Sequence, residues 1–206
     1  MPPNYARHHD LFGDWEMPAW RLLVYANLLA LIPLAIAALC LWLPYQGYVA
    51  FGAPYALPNP DLPAFVIALM GIAIIALSVI LHELLHGVAL RLMGFRPRLS
   101  FASGYLYATM SDGQYLTRRQ YVMMALTPLV VITGIGAGLL VIVPVALGQW
   151  LMIALLLNAA ASIGDLVVTR RALAEPSYAY FAADEEGIQV YLPAGKANPP
   201  SPRAQP

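Results

Sequence analysis

The sequence predicts an all-α membrane protein: four transmembrane helices, with a small cytoplasmic β element from the loop between helices two and three and from the C-terminal tail. Three observations predict it. Hydrophobic residues make up 60% of the 206 positions and charged residues only 11%, against roughly 25% charged in an ordinary soluble domain, so a water-soluble globule of this composition lacks the polar surface to cover itself. Mean hydropathy is +0.66. The apolar residues gather into four runs long enough to cross a bilayer.

The first run, about 22–43, lies between Arg21 and Pro44, with Trp20 and Trp42 as interfacial aromatics. The second, about 62–92, enters through Asp61-Leu62-Pro63, an acidic cap followed by a proline in the first turn. It continues past Leu81 through His82-Glu83-Leu84-Leu85-His86 toward Gly94, a helix of about 30 residues and roughly 45 Å. The third, about 120–147, starts from Thr117-Arg118-Arg119-Gln120, a Thr-x-x-Gln capping box. Pro128 should bend it, and Gly134, Gly136 and Gly138 offer a smooth face to a neighbour. A turn at Gly148 divides it from the fourth, about 150–169, which makes the two an antiparallel hairpin. Residues 1–193 form a single integral membrane domain, and the Pro, Ala, Gly, Ser and Asn of residues 194–206 predict a disordered tail.

Between the second and third spans, Leu99, Phe101, Ser103, Tyr105, Tyr107 and Thr109 recur with period two. That reads as a strand ending at Ser111-Asp112-Gly113. The tail from Ser177 to Leu192 alternates on either side of Asp184-Glu185-Glu186-Gly187, as a small hairpin does.

Charge sets the orientation and excludes some partners. The loop from Pro44 to Asp61 has no Lys or Arg, whereas Arg91, Arg96, Arg98, Arg118 and Arg119 separate spans two and three, and Arg170 and Arg171 follow span four. The positive-inside rule therefore puts both termini of this cell-membrane protein in the cytoplasm. Eleven basic and eleven acidic residues cancel, and no basic run exceeds a pair, which leaves no electrostatic footprint for nucleic acid. Cys40 is the only cysteine, so there is neither an internal disulfide nor a thiolate metal cage; in its apolar run it is expected to be buried and inert.

Helix rise then places ionisable residues before any motif is considered. His82 lies 18 residues into its helix from Ala64, and Asp165 lies 15 residues in from Trp150. At 1.5 Å per residue these are about 27 and about 22 Å, nearly the same depth, toward the cytoplasmic edge of the hydrocarbon. Charges at such depth are costly and mark function.

His82 and His86, four apart on one helix, project from one face with Glu83 beside them. This is the His-Glu-x-x-His pattern, in which two imidazoles hold zinc and the glutamate handles the proton of a water. Composition alone yields about 0.002 such occurrences in a chain like this one. His8 and His9 lie in a polar tail and are expected to be solvated. Two histidines and a water leave a tetrahedral zinc one protein ligand short, and Asp165 is the one carboxylate in the second half of the chain on a membrane helix. A carboxylate at a cytoplasmic helix C-terminus opposes the helix dipole, so something positive should compensate. Asn158, seven residues earlier on the same face, is placed either to steady a substrate carbonyl or water, or to satisfy itself against a neighbouring helix. Gly164, Ala160 and Ala161 keep this helix slim for approach to the second.

Three stretches, His82-Glu83-Leu84-Leu85-His86-Gly87, Ala125-Leu126-Thr127-Pro128 and Asn158-Ala159-Ala160-Ala161-Ser162-Ile163-Gly164-Asp165-Leu166, resemble the family of bacterial and archaeal multi-pass membrane proteins described as putative zincin peptidases. The resemblance runs from about Leu62 to Pro193. By its wider similarity to site-2 proteases it implies an intramembrane metallopeptidase with one zinc per chain, His82, His86 and Asp165 as metal ligands and Glu83 as base. It departs from the site-2 pattern at the aspartate, which Gly164 precedes and Leu166 follows, with no proline in the fourth span; the role of Asp165 thus rests on the nearer family. The implied activity is hydrolysis of peptide bonds in membrane-associated proteins or peptides near the cytoplasmic face. The edge of the loop strand is one place to hold such a chain extended, its other reading being a hairpin laid on the membrane surface. A metal-dependent hydrolase of a lipid-like substrate, or a metal-binding membrane scaffold without activity, are the competing readings.

Overall fold

Four segments are long and apolar enough to cross a membrane, Asn27–Gly47, Ala64–Leu92, Arg118–Leu139 and Val145–Ala174, in a computed structural model that describes residues 4–11, 19–50, 61–102, 105–111, 113–184 and 187–194. The elements in chain order are β1 (Tyr5–Asp10), α1 (Ala19–Ala50), α2 (Ala64–Leu92), β2 (Pro97–Ala102), β3 (Tyr105–Met110), β4 (Leu116–Thr117), α3 (Arg118–Leu139), α4 (Val145–Ala161), α5 (Ile163–Ala174), β5 (Tyr180–Asp184) and β6 (Gly187–Pro193). The most apolar windows of α1 and α2 bury nothing inside the protein. Leu28, Ile32 and Leu39 on α1 and Phe65, Leu69 and Ile72 on α2 are exposed, a surface suited to lipid rather than water. Cys40 is exposed on the same outer surface; an apolar run here marks contact with lipid, not burial in protein.

Local chemistry explains where the helices stop. At the end of α2 the Phe95 N–H bonds Leu90 O and the Gly94 N–H bonds Arg91 O, with Gly94 at φ 86°. This is the double bond of a Schellman cap, and its left-handed residue is glycine because a Cβ is disfavoured there. At the start of α3 the expected capping box is present: Thr117 Oγ1 accepts from Gln120 N while the Thr117 N–H donates to Gln120 Oε1.

Several boundaries differ from the sequence reading. α1 continues through Pro44 to Ala50, as membrane helices tolerate proline. Pro63, not Asp61, is the N-cap of α2. The third span ends at Leu139, and the reversal falls at residues 140–144 rather than at Gly148. Pro144, extended at ψ 150°, is the N-cap of α4, while the Gly148 N–H bonds Pro144 O inside α4; a proline donates nothing to the preceding helix and so closes it. Of the three glycines on α3, Gly136 alone meets a neighbouring helix among the described residues: a Cβ there would run into the Leu155 side chain, whereas Gly134 and Gly138 have nothing within 4 Å.

The loop strand is in fact two. β2 and β3 pair antiparallel from Pro97↔Met110 to Ala102↔Tyr105. In this register the odd-numbered residues of β2 face opposite to those of β3 while the odd-number alternation runs on, so period two conceals the second strand; Ser103 of the expected strand lies outside the described residues. The tail hairpin β5–β6 closes at Asp184↔Gly187, its residues 185–186 lying outside the described residues, as does 195–206 of the expected disordered tail. It belongs to a four-stranded antiparallel sheet of order β1-β6-β5-β4. The strand β1 comes from the N-terminal segment expected to be a solvated tail. His9 Nε2 lies 3.0 Å from Glu175 Oε1, and the Arg171 guanidinium donates to Leu11 O. Phe181, Val190 and Leu116 of this sheet pack on Leu90 of α2, Tyr121 of α3 and Ala172 of α5. The best-packed core therefore sits where three helix ends meet the sheet; a smaller cluster, Leu41, Leu140 and Leu155, ties the helices together farther away.

Candidate metal centre

α2 and the α4–α5 unit bring three ionisable side chains together just on the membrane side of that core. His82 Nε2 lies 2.9 Å from Asp165 Oδ2 and His86 Nε2 lies 3.3 Å from Asp165 Oδ1. The two imidazoles, one helical turn apart, meet edge to face with centroids 5.0 Å apart. Their ligand atoms all fall within 4.8 Å of one another, a group able to hold a metal ion. His82 and His86 are buried, at 6% and 7% exposure. The common depth expected from helix rise is thus realised as direct contact.

Each imidazole is held from behind. His82 Nδ1 lies 3.1 Å from Asn158 Oδ1, and His86 Nδ1 lies 3.0 Å from Met124 O on α3. Both partners are carbonyl oxygens and only accept, so each ring donates from Nδ1, and in the neutral imidazole that a metal requires this leaves Nε2 as the coordinating atom. Both Nε2 atoms converge on one carboxylate, where a metal cation would take the place of the protons they can otherwise share with it. Two nitrogens and one carboxylate oxygen are the donor set of a catalytic zinc site with one position left open. The residues fit the ion that the sequence implies.

The aspartate owes its position to an interruption in the fourth span. Ser162 separates α4 from α5, and its hydroxyl donates to Asn158 O at 2.8 Å, a back-bond that bends helices. Asp165 consequently falls in the first turn of α5, where a carboxylate is favoured by the helix dipole. This reverses the expectation of an opposing dipole. Among the described residues Gly164 has nothing within 4 Å of its would-be Cβ; it is Asn158 that reaches α2, through His82.

Glu83 is not one of the three clustered residues. Its Oε2 accepts the Ala108 N–H of β3 at 3.1 Å, which ties the hairpin to the helix beside His82. Asn158, 2% exposed, directs Oδ1 to His82, and its Nδ2 has no hydrogen-bond partner among the described residues. Two clefts flank the α2–α4 contact on the membrane side of the histidines, of about 340 Å³ and about 280 Å³, both bordered by Ser78 and Asn158. The sequence reading missed Met124 O and the Ala108 N–H, since main-chain groups leave no residue-type signal.

Residues 75–180 match the family described as putative zincin peptidase, DUF3267. No curated protein and no solved structure matches the chain. The matched stretch contains the His-Glu-x-x-His turn, Met124 and Asp165, and the chain belongs to the putative zincin peptidase family.

Proposed function

We propose that the protein is a zinc-dependent membrane-embedded peptidase that cleaves membrane-associated proteins or peptides near the cytoplasmic face, distantly similar to site-2 proteases. The observation that carries this reading is the convergence of two buried imidazole Nε2 atoms on one partly buried carboxylate, beside a glutamate on the same helical turn. His82, His86 and Asp165 hold the ion. When bound, zinc acidifies a water and polarises the scissile carbonyl. Glu83 accepts the proton of the attacking water and delivers it to the leaving amide nitrogen, the general-base and general-acid work of one carboxylate. The free Nδ2 of Asn158 offers a donor to a substrate carbonyl. The flanking clefts give an apolar segment room beside α2, and β3 provides a main-chain edge for an unwound one.

Metal content tests the reading. Protein purified without chelator should carry about one zinc per chain, and His82→Ala or His86→Ala should strip it, as expected when a ligand is lost from a site of three. Elemental analysis showing no metal in the wild type overturns the proposal.

The orientation rests on arginine placement: the sheet end of the molecule carries Arg91, Arg96, Arg98, Arg118 and Arg119, which the positive-inside rule assigns to the cytoplasm. In a Cys40→Ala background, Asp61→Cys should react with an impermeant thiol reagent from outside intact cells and Arg119→Cys only after lysis. The opposite pattern reverses the topology.

A further inference from the structure

α3 carries a proline in its interior, and the carbonyl deprived of a donor by that proline is the one His86 uses. In an α-helix each residue donates its N–H to the carbonyl four residues earlier. Residue 128 is proline: it has no N–H, and its ring crowds the carbonyl of residue 124 away from the helix ladder. Pro128 is among the most fully buried side chains of the protein. The Met124 carbonyl instead accepts the His86 Nδ1–H at 3.0 Å.

We infer that Pro128 is a positioning residue of the metal centre: by withholding an N–H it releases the Met124 carbonyl, which holds a proton on His86 Nδ1 and so leaves Nε2, turned to Asp165, as the metal-binding atom. The inference rests on the reading of the triad as a metal site. The other tautomer would place an Nε2–H against Asp165 Oδ1, 3.3 Å away, and occupy the atom that a metal requires. An N–H at position 128 would compete for the Met124 carbonyl, draw it toward the helix ladder and weaken its bond to His86 Nδ1. His82 receives the same service from a side chain, Asn158; for His86 it comes from a gap in a helix.

Two variants separate the missing N–H from the ring. Pro128→Ala restores the donor. Lactic acid at position 128, introduced by nonsense suppression, has the same methyl side chain but an ester oxygen in place of the N–H. With metal-stripped full-length protein in detergent, Zn2+ titrated against a chromophoric chelator should bind Pro128→Ala about 10–100-fold more weakly, the usual cost of losing the partner that orients a ligand, and the ester form within about threefold of wild type. 15N NMR of the metal-free protein should find His86 protonated on Nδ1 in wild type and ester, and in mixed tautomers in Pro128→Ala. Equal zinc affinity and equal tautomer populations in the alanine and ester forms, whether high or low, overturn the inference. If the wild type binds no zinc, the metal-site reading fails, while the tautomer comparison still decides the role of Pro128.

Discussion

Asp165→Asn is expected to lower zinc affinity at least about 100-fold, beyond the range typical of partners that only orient a ligand, and to abolish hydrolysis, with the four-span fold retained. Asparagine keeps the volume of the side chain, so the packing of α5 on the sheet is undisturbed. It removes the carboxylate that contacts both His82 and His86, 2.9 and 3.3 Å away. Its amide N–H2 would moreover donate to the Nε2 of a neutral His82 and occupy the ligand atom. Glu175→Gln is the control: Glu175 meets His9 at the far end of α5, so zinc affinity at the centre should not change. Chelator competition in detergent measures both variants, with gel filtration to verify folding. Wild-type affinity in Asp165→Asn removes Asp165 from the ligand set.

Glu83→Gln should separate chemistry from binding. Zinc stays bound, because Glu83 is not among the three clustered ligands. Gln Oε1 still accepts the Ala108 N–H that Glu83 Oε2 accepts now, so the β2–β3 hairpin stays docked. Proton transfer is lost, and with it a factor of roughly 10²–10⁴ in turnover. Cleavage of quenched-fluorescent peptides in micelles, measured on preparations of verified zinc content, reads the effect. Equal turnover in variant and wild type assigns the base elsewhere. The same pair of measurements separates a peptidase from a scaffold, which would need the fold and the metal but not the carboxylate.

The sequence by itself determined the membrane class, the number and order of the spans and the three ionisable side chains of the centre. Hydropathy and helix rise are local and nearly linear along the chain; the fourth span starts at Val145 rather than Trp150 and breaks at Ser162, yet the depth that helix rise gives Asp165 still matches that of the histidines closely enough for His82, His86 and Asp165 to meet. The capping box of α3 was legible for the same reason, its partners lying three residues apart. Only the tertiary structure decided what stands behind those side chains. Whether Asn158 turns to substrate or to a neighbour depends on the α2–α4 approach, and its Oδ1 faces His82. The acceptor for His86 is a carbonyl of α3, and the donor on Glu83 is an amide of β3; every residue has both groups, so no residue type announces them. β1 likewise waited on a partner, since the strand Tyr5–Asp10 pairs with β6 nearly the whole chain away. Six mostly polar residues have no hydrophobic period to declare a strand; it is the edge of β6, assembled from the other end of the sequence, that satisfies their backbone.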